Sequence, residues 1–204
     1  MDFSYTLTAF VTLFVVMDPL ALTPLFLALT HDMPPERSRQ VARRALLVAA
    51  GLLTLFGFAG ESILRGVGIS LPAFRIAGGM LLFLTALDML FQRRNERREG
   101  TASSAENDPS VFPLATPLIA GPGALATIIL LNGQGEGWGH FLLIEAVMLF
   151  ILALAAVTFR LAVQIGRALG RTGTMVITRL LGMLLAALAV QFIIDGLAGS
   201  GLLG

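Results

Sequence analysis

Cysteine is absent from this 204-residue chain, which removes disulfides, thiolate nucleophiles and cysteine metal sites from consideration. Lysine is absent too, and all 14 basic residues are arginine, a compositional bias rather than a functional signal. Charge is scarce. Only 13% of residues are charged, against about 25% in an ordinary soluble domain. The net charge of +1 points to no nucleic acid as partner. What fills the chain is apolar: 56% hydrophobic residues with a mean hydropathy of +0.84, where soluble domains hold about 45–50%. A single core of this size has no room for so much apolar surface. A bilayer does, because lipid replaces water around the apolar faces. The sequence therefore predicts an all-α, polytopic membrane protein.

A spanning helix needs about 20 apolar residues, and six stretches qualify. They run over 5–30, 41–64, 71–91, 111–131, 140–165 and 175–197. Residues 1–204 form a single transmembrane domain, with a polar cytoplasmic linker over 93–110. Met1 to Leu7 lack a basic segment, and no small-residue cleavage site precedes Asp18-Pro19, so the first span is read as retained. Arginine in short loops sets topology. Arg37, Arg39, Arg43 and Arg44 follow span one, Arg93, Arg94, Arg97 and Arg98 follow span three, and Arg167 and Arg171 follow span five. The opposite loops hold Arg65, with Arg75 just inside span three. The expectation is a multi-pass protein of a bacterial or archaeal cytoplasmic (inner) membrane, with both termini outside.

An internal repeat is visible. Asp18-Pro19-Leu20-Ala21-Leu22 aligns with Gly121-Pro122-Gly123-Ala124-Leu125, and Arg75-Ile76-Ala77-Gly78 with Arg179-Leu180-Leu181-Gly182. The offsets are nearly equal. A repeat of three spans enters the membrane from the opposite side in its second copy, giving a 3+3 inverted repeat, a plan used by many secondary transporters. Repeat one covers about 1–92 and repeat two about 111–204. The interruptions fall in spans one and four.

Those interruptions carry the candidate chemistry. Asp18 lies about 20 Å along span one at about 1.5 Å per residue, near the bilayer middle, where a carboxylate needs a partner, a proton or a wet cavity. Pro19 breaks the helix beside it, with Leu20, Thr23 and Pro24 on the same segment. A kinked helix with a protonated Asp18 is the plainer alternative. In span four, Pro113, Thr116, Pro117, Ala120, Gly121, Pro122 and Gly123 exclude a regular helix. Irregular backbone at that depth must be buried in protein or line water. Its freed N–H and C=O groups suit a zwitterion, while a tight small-residue crossing is the alternative. The small side chains at both breaks point weakly to a small neutral substrate.

Other polar residues are less specific. Glu61 and Arg65 have the spacing of a helical ion pair. Glu145 and Arg160 lie toward opposite ends of span five, and His31 and His140 at loop edges read as solvated. No metal-ligand cluster, nucleotide loop or nucleophile arrangement stands out, so neither an enzyme nor a metal or organic cofactor is expected. Ions this far into an apolar span need partners or must reach the headgroups. Side-by-side packing of spans three and six would pair Arg75 with Asp195 and Arg179 with Asp88 as structural ion pairs.

Asp18-Pro19 with Pro24, Ala73-Phe74-Arg75-Ile76-Ala77-Gly78-Gly79, Phe112 through Gly123, and Gln191-Phe192-Ile193-Ile194-Asp195-Gly196 together resemble the MarC family of integral membrane proteins over nearly the whole chain. One departure is Leu20, where the family usually has glycine. The family resembles the wider LysE group of amino-acid exporters. The resemblance implies transport of small neutral amino acids such as glycine, alanine or serine, and not the antibiotic resistance of its historical name. The substrate site would comprise Asp18, Pro19, Leu20, Thr23, Pro24, Thr116, Pro117, Ala120, Gly121, Pro122 and Gly123. Asp18 would serve in coupling to H⁺ or Na⁺. Export of another small metabolite and a non-transporting membrane scaffold are the competing readings, and a homo-oligomer is compatible with either.

Overall fold

The structure, a computed structural model, describes residues 3–91, 109–135 and 137–201. Arg93, Arg94, Arg97, Arg98 and nearly all of the expected linker fall outside that set. The described residues form helices joined by short turns. Helices α1 (Phe3–Met17) and α2 (Pro19–Leu29) together make one span-length unit of 27 residues. Asp18 separates them with φ 48° and ψ 67°. Proline disfavours the α conformation in the residue before it, and Asp is one of the few side chains that enters the left-handed region.

Helix α3 (Pro35–Gly66) opens with proline at its first turn, where a missing N–H costs nothing. It starts six residues before the expected span. Its 32 residues extend about 48 Å at about 1.5 Å each, more than the roughly 30 Å hydrocarbon layer. The arginine-bearing first turns therefore stand beyond the apolar span proper. Helix α4 (Leu71–Leu90) is capped by Ser70, whose Oγ accepts from Ala73 N at 3.3 Å.

The segment Ser110–Ile119 is not a regular helix. Phe112 and Thr116 are extended, each ahead of a cis proline, Pro113 and Pro117. It meets α5 (Pro122–Asn132) at 55°. Helix α6 (Trp138–Arg160) ends five residues before the expected limit of span five. Residues 162–165 belong instead to α7 (Ala162–Gly199). Within the interval expected between spans five and six, 166–174, the chain kinks at Gly170, φ 59° and ψ −176°, a conformation that glycine adopts readily. Among the described residues five segments, the α1–α2 unit included, are long and apolar enough to cross a membrane, and the bent 110–132 pair makes a sixth if it is one span.

The core sits around α1 and α2, where Leu13, Met17 and Leu22 are fully enclosed. Their unit packs on α6 and α7; the 110–119 segment and α5 pack on α3. The largest helix interface joins α4 to α7. A Cβ on Gly79 would lie 2.8 Å from the Ala189 carbonyl oxygen, and one on Gly196 2.9 Å from that of Pro72. Glycine is what lets these two backbones touch. Outward faces carry Leu47, Leu55, Phe58, Leu84, Phe150 and Met183, all more than half exposed. Apolar faces of that extent call for a lipid solvent.

Candidate functional site

Asp18 is fully buried. Its backbone N donates to Phe14 O at 2.8 Å, and its Oδ1 accepts from Ala21 N at 3.2 Å, capping α2. Oδ2 is buried with no hydrogen-bond partner. Leaving a buried polar atom unsatisfied costs about 1–3 kcal/mol, more when it is charged, so this oxygen is the group at the break with unmet chemistry. Around it, the Pro19 carbonyl accepts from Thr23 Oγ1 at 3.0 Å and from Thr158 Oγ1 of α6 at 3.4 Å.

The second break comes close to the first. Gly123, at the start of α5, faces Val16, two residues before Asp18, and Thr85 of α4; a Cβ there would stand 3.4 and 3.6 Å from their side chains. No side chain caps α5. Ala120 is buried, and Leu20, Thr116, Gly121 and Gly123 are half-buried. Pro24, Pro117 and Pro122 are exposed.

A groove of about 1080 Å³ opens at the arginine-rich end between α2, α3 and α6. Its lining includes Arg39, Arg43 and Arg160 together with Leu46, Phe26 and Phe159. The Phe26 and Phe159 rings stack with centroids 4.6 Å apart. Phe159 follows Thr158, the residue that reaches Pro19.

Spans three and six do lie side by side, but Asp195 accepts from Gln191 Nε2 at 2.7 Å. A partner one turn earlier on the same helix needs no interhelical fit. Arg75 Nε is buried without an acceptor. His31 is exposed beside Asp32, and Glu61 pairs with Arg65. His140 is not simply solvated. It is half-buried, and its Nε2 lies 2.8 Å from Leu131 O, which also accepts from Tyr5 OH at 2.7 Å. A carbonyl only accepts, so Nε2 carries the proton. The last carbonyls of α5 lack intrahelical donors, and that rule was the available signal for His140.

Among the described residues no group of three or more His, Asp or Glu is placed to hold a metal ion. Helices of spanning length with apolar outer faces define an integral, multi-pass membrane protein. The chain matches the MarC family integral membrane protein description over residues 3–200 and belongs to that family. It is 34% identical to a UPF0056 membrane protein of Methanocaldococcus jannaschii, covering 98% of this chain and 99% of the relative. The UPF0056 membrane protein YvbG of Bacillus subtilis is 36% identical over 98% of this chain and 97% of its own length. The UPF0056 inner membrane protein YhgN of Escherichia coli is 35% identical, with 94% and 95% covered. No solved structure matches the chain.

Proposed function

We propose that this protein is a secondary transporter of small neutral amino acids, with its substrate held where the breaks at Asp18 and Gly121-Pro122-Gly123 meet. Two observations support the reading: Asp18 Oδ2 is buried without a partner at the first break, and the turn before it packs, through Val16, against the glycine-lined, uncapped start of α5. An ammonium group supplies the donor that Oδ2 lacks. The substrate carboxylate turns to the N–H groups at the start of α5, where the helix dipole is positive. Ala120, Gly121 and Gly123 leave room for a short side chain only. Without substrate, a coupling H⁺ or Na⁺ on Asp18 meets the same need.

The reading includes a 3+3 inverted repeat with spans one and four broken at the midplane. What supports it is the packing. Exchange of the two halves maps the contact of α1 and α2 with α6 onto that of the 110–132 unit with α3, and maps the α4–α7 interface onto itself. The proposed membrane is the cytoplasmic one, in keeping with the inner-membrane relative. Both termini lie outside, so the arginine-lined groove is an inward vestibule. The Phe26–Phe159 stack then stands between that vestibule and Pro19, as the gate whose separation admits substrate to Asp18. An Arg179–Asp88 pair across α4 and α7 belongs to the same proposal.

Calorimetric titration of alanine into purified protein tests the site. Wild type binds, and Gly123→Leu does not, because its side chain fills the space between Val16 and Thr85. Equal binding by both proteins removes the second break from the site, and no binding of glycine, alanine or serine by wild type favours a scaffold.

A further inference from the structure

A second polar site lies away from both breaks. Glu145 sits about 10 Å along α6 at about 1.5 Å per residue and is only 7% exposed. Its Oε2 accepts from Thr54 Oγ1 of α3 at 2.7 Å, while Oε1 is buried without a partner. Asn132, the last residue of α5, approaches from a third direction. Its Nδ2 donates to Ile128 O at 3.0 Å, and its Oδ1 is likewise buried and unpartnered. Both side chains press close on Gly57, where a Cβ would meet Asn132 Nδ2 at 3.0 Å and Glu145 Oε1 at 3.1 Å. Three helices thus bring a carboxyl group, a hydroxyl and an amide together, and the missing Cβ of Gly57 permits the close approach.

Among the described residues Glu145 makes no ion pair. On α3 the nearest titratable groups are Glu61 and Arg65, paired with each other nearer that helix's end. Helices α2 and α5 carry none. On α1 there is Tyr5, with Arg75 of α4 close enough to act on it, and on α6 itself His140, five residues earlier. An ionised carboxylate in that setting would be both desolvated and unpaired. A carboxylic acid is neutral and turns one oxygen into a donor, which is what a site with two orphaned acceptors needs.

We propose that Glu145 is a proton-binding site within the membrane, protonated at neutral pH and held by Thr54 and Asn132. Its O–H donates to the Asn132 amide oxygen, and Thr54 donates to the other carboxyl oxygen. His140 and Tyr5, both donors to Leu131 O, lie nearer the helix ends on the same side of the bundle. Any part in proton coupling rests on the transport reading above; the protonation itself does not.

Infrared difference spectroscopy of the full chain in lipid reads the site directly. At neutral pH wild type shows a protonated-carboxyl C=O stretch, which Glu145→Gln removes and Asp18→Asn leaves in place. Asn132→Leu shifts that band upward in frequency by removing its hydrogen bond, a change that mere unfolding would not produce. A neutral-pH spectrum with no band dependent on Glu145 overturns the proposal, as does a band indifferent to Asn132→Leu. In proteoliposomes, Glu145→Gln keeps alanine exchange and loses its response to a pH gradient. If wild type moves no amino acid, the transport reading falls while the protonation is decided by the infrared band alone.

Discussion

Replacing Gly79 with alanine tests the α4–α7 interface, and Gly51→Ala is its matched control. Both glycines are helical. A Cβ at Gly51 meets nothing within 4 Å, whereas one at Gly79 would stand 2.7 Å from Ile193 Cγ1, 2.8 Å from Ala189 O and 3.1 Å from Ile193 N. Two of those three atoms are backbone, so no side-chain rotation relieves the contact and the helices must separate. Overpacking of this kind costs about 1–3 kcal/mol. The gain in helix propensity returns up to about 1 kcal/mol. Gly51→Ala should be neutral or gain up to about 1 kcal/mol by the propensity term alone, and Gly79→Ala should lie about 1–3 kcal/mol below it, because the propensity term is common to both. Reversible unfolding in mixed detergent micelles measures both. Equal stability of the two variants would refute the close approach of α4 and α7 at Gly79.

Three further outcomes follow from the same geometry. Gly170→Ala should cost about 1–3 kcal/mol in the same assay, because φ 59° with ψ −176° is a region that only glycine occupies freely; an unchanged stability contradicts the kink. The absence of cysteine allows single thiols to report access. Thr23→Cys should react slowly with a water-soluble maleimide and faster once Phe159→Leu removes the stacked ring; an unchanged rate denies the gate. On intact cells an impermeant thiol reagent should label Gly201→Cys and spare Ser38→Cys, and the reverse pattern inverts the proposed orientation.

Much of the fold was legible because the bilayer imposes a crude rule. Long apolar runs between arginine-rich turns mark helices whatever their packing, so α3, α4 and α6 were recognisable from composition and length. The breaks were legible for a local reason: proline at 19, 113, 117 and 122 removes donors and constrains the preceding residue wherever it stands. The end of α6 was not, because Leu161 differs little in composition from its neighbours. Which way each proline faces was equally hidden. Pro19 is buried whereas Pro24, five residues on, is exposed, a matter of helix rotation against α6. Glu145 read as an ordinary charge near a helix end because its significance depends on Thr54 and Asn132, which sequence separation conceals.

The central claim is that the unpartnered Asp18 oxygen, beside the second break, serves coupled movement of a small zwitterion. Flux of labelled alanine into proteoliposomes under an imposed proton or sodium gradient measures this most directly, with wild type and Asp18→Asn compared at equal, folded reconstitution. The account predicts saturable, gradient-driven flux in wild type and its loss in Asp18→Asn. Gradient-driven flux that survives unchanged in Asp18→Asn would contradict it, as would a wild-type protein that moves no small amino acid under either gradient.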